Sequence, residues 1–320
     1  MNAKSTLIPT LPQYFFTKND IDDPRLGETA QSALLGSTAI GVNDFTLVGY
    51  PDDDGIRIGG GRAGAAEAPK VIRQFLYKMT PSVHSEKKLK LFDFGDLHTH
   101  ADLPTRHQDA LEIATFLHTK NARTLSFGGG HDYGYSDVAG FLKTYMGTNV
   151  KPVVINFDAH LDVRPTLNGL SSGTPFFRVL NEFKGQFDFI EIGLQPQCNS
   201  KKHWDWALKN GAHIFDLKTI NTSGLDSLWD SPVFKTLTPA TPMFISFDID
   251  ALAANEAGGC SQAWVTGLHT QPCLDFLSSI YKKTNTRGLG VYEVSPPLDR
   301  DSQTSKTAAL LAHHFLFETP

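Results

Sequence analysis

Short apolar segments alternate with longer amphipathic segments along most of the chain. The apolar segments predict β-strands, and several are apolar at successive positions, as is typical of strands buried on both faces. The amphipathic segments between them predict helices. Strands are predicted at 45–50, 89–94, 123–127, 152–157, 187–193, 213–215, 243–247 and 288–294. Helices are predicted at 68–79, 105–119, 135–146, 175–181, 201–210, 272–283 and 304–317.

This alternation predicts an α/β protein with helices packed around a parallel sheet. The chain has 320 residues, enough for about two average domains. No internal repeat, low-complexity tract or long flexible linker divides it, so a single domain is preferred. We therefore predict one catalytic domain at 41–320, preceded by an N-terminal extension at 1–40.

Composition and charge narrow the class of protein. Hydrophobic residues make up 40% of the chain and the net charge is −5, so the chain is expected to fold and has no basic field for nucleic acid or an anionic membrane. No signal peptide or apolar stretch of membrane-spanning length is apparent, so a cytoplasmic protein is expected. The three cysteines lack C-x-x-C spacing, which argues against disulfide frameworks, zinc ribbons and iron–sulfur clusters.

Six side chains of metal-ligating type follow three of the predicted strands. They are His131, Asp158, His160, Asp162, Asp248 and Asp250. Those after strand 152–157 are spaced two apart, which in extended chain turns them toward one side. Because ligands of open α/β sheets bind outside the carboxyl ends of the strands, the three segments are expected to converge there.

The types of side chain indicate the metal and the chemistry. Two imidazoles and four carboxylates without a thiolate suit Mn²⁺, or another ion that accepts octahedral geometry, better than structural Zn²⁺. Four crowded carboxylates would repel one another, and two divalent cations would balance their charge. Two ions roughly 3.5 Å apart can activate a shared water at neutral pH. The sequence therefore predicts metal-assisted hydrolysis.

These segments resemble the ureohydrolase superfamily of arginases, agmatinases and formimidoylglutamases. The matching segments are 129–131, 158–162, 246–250 and 293–296, within a resemblance that runs from about residue 45 to the C-terminus. It implies an arginase-like three-layer αβα fold with a mostly parallel eight-stranded sheet, two Mn²⁺ ions per subunit, and homo-oligomers, either trimers or hexamers.

The resemblance also implies how the ligands are shared. His131, Asp162 and Asp248 look like ligands of one metal or bridges. Asp158 and Asp250 look like bridging or second-metal ligands, and His160 like a ligand of the second metal.

Departures from the family pattern favour one member. Residues 251–254 are Ala-Leu-Ala-Ala where arginases and agmatinases normally have Asp-Pro, and the histidine that arginases carry after the first aspartate cluster is absent. Residues 171–176 resemble the formimidoylglutamase pattern instead, which implies hydrolysis of N-formimidoyl-L-glutamate to L-glutamate and formamide in histidine degradation. Alternatives are a guanidino-acid ureohydrolase such as guanidinobutyrase, or an agmatinase or arginase, all of which release urea. A metal-free scaffold or regulator is disfavoured because all six ligands are present.

An amidine substrate with two carboxylates suggests further roles. Glu293, at a strand end, would hold the cationic formimino group by a charge-assisted hydrogen bond. Arg164 would grip a carboxylate, with a hydroxyl added by Ser171 or Ser172. The alternative role for Arg164 is to compensate the acidic cluster. Asp162 would relay a proton to the leaving nitrogen.

Three other signals receive less weight. Residues 59–64 satisfy G-x-G-x-x-G, but no strand immediately precedes them, so a turn or a loop beside the substrate is preferred to a dinucleotide site. Asp96, His98 and His100 imitate ligand spacing and could form an additional ion or regulatory site. Cys260 is interpreted as a bystander, or as an oxidation-sensitive thiol if it is exposed.

Overall fold

A ten-stranded, mostly parallel sheet forms the centre of the protein. The structure is a computed structural model that describes residues 6–85 and 87–320. The strand order is β1-β4-β3-β5-β10-β9-β6-β7-β8, with β2 also paired to β4. The strands are Leu7–Ile8 (β1), Gln31–Ser32 (β2), Phe45–Gly49 (β3), Leu91–Leu97 (β4), Arg123–Phe127 (β5), Val153–Phe157 (β6), Asp188–Leu194 (β7), Ala212–Asp216 (β8), Pro242–Asp248 (β9) and Asn285–Tyr292 (β10).

All eight predicted strands and all seven predicted helices are present, with ends shifted by a few residues. The helices are Leu26–Thr29 (α1), Asp54–Ile58 (α2), Ala68–Leu76 (α3), Leu103–Thr119 (α4), Gly134–Lys143 (α5), Pro175–Glu182 (α6), Lys201–Lys209 (α7), Leu217–Ser223 (α8), Pro232–Lys235 (α9), Ala254–Ala257 (α10), Thr270–Lys283 (α11) and Gln303–Glu318 (α12). The five that the sequence did not predict, α1, α2, α8, α9 and α10, have no more than seven residues each, too few to show a clear helical period.

Helices cover both faces of the sheet, which confirms the predicted three-layer arrangement. Helices α3, α11 and α12 share one apolar core with residues such as Val153 and Ile155 of β6. Helices α5 and α6 pack against the opposite face, which includes Val154. Successive residues of one strand thus enter different cores, and this explains the unbroken apolar pattern of the strands. Within the described residues, no helix has both the length and the apolar character needed to cross a membrane.

The sheet has two more strands than predicted, and both come from the proposed extension, of which residues 1–5 lie outside the described part. β1 pairs antiparallel with β4, and β2 pairs parallel with the same strand. Each has only two residues, too short for the alternating pattern by which strands are predicted. Part of residues 6–40 is therefore built into the edge of the sheet.

Acid should destabilise this fold through His118 on α4. Burial, with a smaller contribution from Arg287, lowers the pKa of this imidazole from 6.5 to about 3. Below pH 6.5 the unfolded chain binds a proton at His118 and the folded chain does not, so the free energy of unfolding falls as the pH decreases toward 3. Between pH 6.5 and 4.5 we expect the wild type to lose about 2 kcal/mol more than His118→Phe, measured by urea unfolding. His84→Gln, at an exposed histidine, is the control, and equal losses in wild type and His118→Phe would contradict the prediction.

Candidate metal centre and active site

Four neighbouring strands deliver the predicted site residues to one edge of the sheet. β5, β10, β9 and β6 are adjacent in that order and all run parallel. His131 follows β5, Glu293 follows β10, Asp248 ends β9 and Asp158 follows β6. Chain segments more than a hundred residues apart therefore meet at the carboxyl ends of the strands, as expected for an open α/β sheet.

The six predicted ligands lie in two groups that share one carboxylate. His131, Asp158, Asp162 and Asp248 form the first group, and Asp158, His160 and Asp250 form the second. In the first, the Nδ1 of His131 lies 3.1, 3.0 and 3.2 Å from carboxylate oxygens of Asp158, Asp162 and Asp248. In the second, the Nδ1 of His160 lies 3.5 Å from Asp158 and 3.0 Å from Asp250. Asp158 thus stands between the two groups.

Unusual backbone geometry brings these side chains together. A Cβ on Gly129 would lie 1.6 Å from the carbonyl oxygen of Asp52, so only glycine allows the approach that leads into His131. Asp162 and Glu293 have φ of 48° and 66°, in the left-handed region that few non-glycine residues adopt. Such strained positions cluster at functional sites.

Contacts with Ser246 and Tyr292 fix the orientation of the His131 ring. Its Nε2 is 2.8 Å from the hydroxyl of Ser246, and the ring stacks on Tyr292 at 4.9 Å between centroids. Glu293 accepts a hydrogen bond of 2.9 Å from the backbone N–H of His131. These contacts aim Nδ1 at the carboxylates.

Burial and mutual charge shift the pKa values of the whole cluster. Burial opposes the charged form of His131, but its three carboxylate neighbours outweigh it and raise the imidazole pKa well above the usual value. Burial and the charge of Asp158 raise the pKa of Asp162 to about 6. Burial and neighbouring carboxylates also raise the pKa of Asp248 and Glu293. The imidazoles of His131 and His160 hold the pKa of Asp158 below its usual value, against the effect of burial.

The donor set fits divalent cations. The Nδ1 of His131 is buried and makes no hydrogen bond among the described residues, although three carboxylate oxygens surround it. A bare imidazole nitrogen among carboxylate oxygens is the environment of a metal ligand. A hydrogen bond at the other ring nitrogen, here with the hydroxyl of Ser246, is the usual way in which such a ligand is oriented.

A cavity of about 250 Å³ opens beside the cluster. Asp162, Asp248, Asp250, His160 and Glu293 lie on its wall. The predicted substrate contacts Arg164 and Ser172 also line it, and Gly173 leaves room for the arginine, because a Cβ there would lie 2.8 Å from the Cδ of Arg164. Ser171 is buried and is not part of this wall. The hydroxyl available to a ligand is therefore that of Ser172.

Several cavity residues were not predicted from the sequence. Cys198, Ser261, Gln262 and Trp264 come from the loops after β7 and α10. None belongs to a recognisable motif, and only Cys198 lies shortly after a strand, so the sequence carried little signal for them. Gly59 and Gly61 of the glycine-rich segment line the cavity too.

The remaining sequence signals lie elsewhere. Asp96 accepts a 2.5 Å bond from the buried guanidinium of Arg73, while His98 and His100 are exposed and pack on each other. These three residues belong to neither of the two ligand groups found in residues 6–85 and 87–320. Cys260 is fully buried, and burial raises the pKa of its thiol. It is thus not an exposed thiol.

Known proteins resemble this chain over most of its length. Formimidoylglutamases from Streptococcus gordonii and Bacillus subtilis are each 32% identical to it, over 284 and 270 residues. These alignments cover 84% and 79% of this chain and 82% and 81% of the two relatives.

Solved structures agree in fold. A crystal structure of Trypanosoma cruzi formiminoglutamase with Mn²⁺₂ matches with a TM-score of 0.80 and 27% identity, covering 93% of this chain and 100% of that one. The Bacillus subtilis formimidoylglutamase structure matches with a TM-score of 0.81 and 28% identity, covering 94% and 93%. A model of the arginase family matches residues 43–318, from just before β3 to the end of α12. The chain belongs to the arginase family.

Proposed function

We propose that the protein is a binuclear Mn²⁺ hydrolase that cleaves the amidine C–N bond of N-formimidoyl-L-glutamate and releases L-glutamate and formamide. The observation that carries the proposal is the pair of ligand groups joined at Asp158 beside a cavity that also contains Arg164 and Glu293. Curated relatives with this activity at 32% identity support it. The Mn²⁺ of the Trypanosoma cruzi relative supports the choice of metal.

The six predicted ligands would hold the ions in two unequal sets. His131, Asp162 and Asp248 would bind one ion, His160 and Asp250 the other, and Asp158 both, as their grouping suggests. When bound, two such ions supply a hydroxide nucleophile at neutral pH.

The chain's own groups would then orient the substrate and move the proton. Glu293 is buried at the cavity wall, where its carboxylate would hold the formimino cation by a charge-assisted hydrogen bond. Asp162 lies on the cavity wall beside the other ligands, where a carboxylate oxygen can take a proton and hand it on to the substrate. We assign Asp162 the transfer of that proton to the leaving glutamate nitrogen.

Specificity for a dicarboxylic product would come from the cavity mouth. Arg164 is exposed there and its planar guanidinium can bind a carboxylate through two parallel hydrogen bonds. The hydroxyl of Ser172 lies on the same wall. An agmatinase would gain nothing from this arginine, because the far end of agmatine is an amine.

Removal of Arg164 should weaken substrate binding and leave metal binding unchanged. A charge-assisted pair is worth about 1.5–3 kcal/mol, so Arg164→Ala should raise KM roughly 10- to 100-fold, and Arg164→Lys should fall in between. Steady-state kinetics and Mn²⁺ content measure the two effects. Arg300→Ala, at an exposed arginine outside the cavity, is the control. Unchanged KM with altered Mn²⁺ content would instead assign Arg164 to charge compensation.

A substrate panel on Mn²⁺-loaded protein tests the proposed reaction. Formamide, urea and ammonia are scored with N-formimidoyl-L-glutamate, 4-guanidinobutyrate, agmatine and arginine. Formamide from the first substrate is expected. Urea from a guanidino acid without turnover of N-formimidoyl-L-glutamate would select the guanidino-acid alternative.

Three further features complete the proposal: the compartment, the assembly and the domain organisation. We place the enzyme in the cytoplasm as a homo-oligomer, a trimer or a hexamer, with residues 41–320 as its catalytic domain and 1–40 as an extension. Light scattering of the full chain tests the assembly, and a monomer would contradict it.

A further inference from the structure

A row of three polar side chains crosses the sheet just below the ligand cluster. Ser246 on β9, Asn156 on β6 and Glu191 on β7 are register partners, and we call them the polar row. All three are fully buried. Each interrupts a strand that is otherwise largely apolar. Because side chains of a strand alternate between faces, the polar row points to the same side as residues two positions later, which are Asp158 and Asp248.

Asn156 connects the polar row to the carboxylate shared by both ligand groups. Its Nδ2 donates a 3.2 Å hydrogen bond to the Oδ2 of Asp158 and a 2.9 Å bond to the Oε2 of Glu191. An amide nitrogen has two hydrogens, so both are used. Only the NH₂ end of the amide can donate to the carboxylate of Asp158, so this end faces both Asp158 and Glu191.

A purely structural role would not explain this arrangement. The Oδ1 of Asn156 and the Oε1 of Glu191 are buried and accept no hydrogen bond within the described residues. Burying polar groups without partners costs about 1–3 kcal/mol each, and apolar residues would fill the same positions in these strands without that cost. The unpaired oxygens of Asn156 and Glu191 therefore lower the stability of the fold at positions directly beside the ligand cluster.

We infer that Asn156 and Glu191 are positioning residues that set the orientation of Asp158 and thereby the affinity of the site for both divalent ions. The inference rests on the proposed function only in taking Asp158 as a metal ligand. Neither residue lines the cavity beside the cluster, so neither is expected to touch the substrate.

Mn²⁺ affinity tests the inference without substrate. Hydrogen bonds behind a ligand typically contribute about 10- to 100-fold to metal affinity, so Asn156→Leu should raise the Mn²⁺ Kd by that factor, measured by electron paramagnetic resonance. At saturating Mn²⁺ its kcat should stay within about threefold of wild type, since the ligands themselves are intact. Thr46→Val, a buried polar residue on a strand that carries no ligand, should leave the Kd unchanged.

Variants of Glu191 test the positioning role even if Asn156→Leu fails to fold. Glu191→Gln keeps an acceptor oxygen for Asn156 and should bind Mn²⁺ nearly as wild type, whereas Glu191→Leu removes the acceptor and should bind about tenfold more weakly. Equal Kd values for the wild type and the folded Asn156→Leu or Glu191→Leu protein would overturn the inference. A wild-type chain that binds Mn²⁺ but does not hydrolyse N-formimidoyl-L-glutamate would reject the proposed function and leave this inference standing.

Discussion

Asp158→Asn is expected to lower the activity of the Mn²⁺-loaded protein by at least about 10³-fold, because metal assistance contributes several kcal/mol to the barrier. Asp158 is the only residue common to both ligand groups within residues 6–85 and 87–320. Asparagine keeps the size of the side chain but removes the negative charge and one of the two anionic oxygens. The variant should therefore retain less than two Mn²⁺ per chain after gel filtration, measured by elemental analysis.

The fold should survive this change, and a matched control separates local from general effects. Asp188→Asn removes a carboxylate at the opposite, amino end of the sheet, where Asp188 pairs with Lys151. Its Mn²⁺ content and activity should equal those of the wild type. An Asp158→Asn protein with two Mn²⁺ ions and activity within tenfold of wild type would refute the shared-ligand assignment.

Glu293→Gln should reduce kcat/KM by about 10- to 100-fold without loss of metal. Replacing a buried anionic acceptor by a neutral one removes a charge-assisted bond to the formimino cation, which is worth about 1.5–3 kcal/mol. Glutamine keeps an oxygen that can accept the N–H of His131, now 2.9 Å from the Glu293 Oε1. The loop that carries His131 should therefore stay in place.

Two measurements distinguish this role from a structural one. Mn²⁺ content and the melting temperature of Glu293→Gln should match the wild type, while kcat/KM falls. Glu256→Gln, which changes a partly buried glutamate that binds His269 and Thr270 outside the cavity, is the control. Wild-type kcat/KM in Glu293→Gln would remove Glu293 from the catalytic groups.

Strand ends were predictable because the signal there is both chemical and periodic. Aspartates and histidines directly after apolar strands are unusual, and the period of two in 158–162 indicated a common direction. The convergence of His131 with Asp248 follows from the adjacency of β5, β10, β9 and β6 in the sheet. That order was not predicted, because strand order depends on long-range packing rather than on local pattern.

Other parts of the site carried a weaker signal. Asn156 and Glu191 interrupt apolar strands, a feature that could have drawn attention to the polar row, but their partner contacts depend on strand register. Cys198 and Gln262 come from irregular loops, whose paths the hydrophobic pattern does not specify. The two-residue strands β1 and β2 are stabilised by pairing with β4, not by their own sequence.

The most direct test of the proposed reaction compares two substrates on one Mn²⁺-loaded preparation. N-formimidoyl-L-glutamate and 4-guanidinobutyrate each offer a carboxylate to Arg164, and they differ in the group that would face Glu293. Carbon-13 NMR identifies the product, and steady-state rates give kcat/KM for each. The expected products are formamide and L-glutamate, with kcat/KM for the amidine far above that for the guanidino acid. Urea as the principal product, with no formamide from N-formimidoyl-L-glutamate, would contradict it.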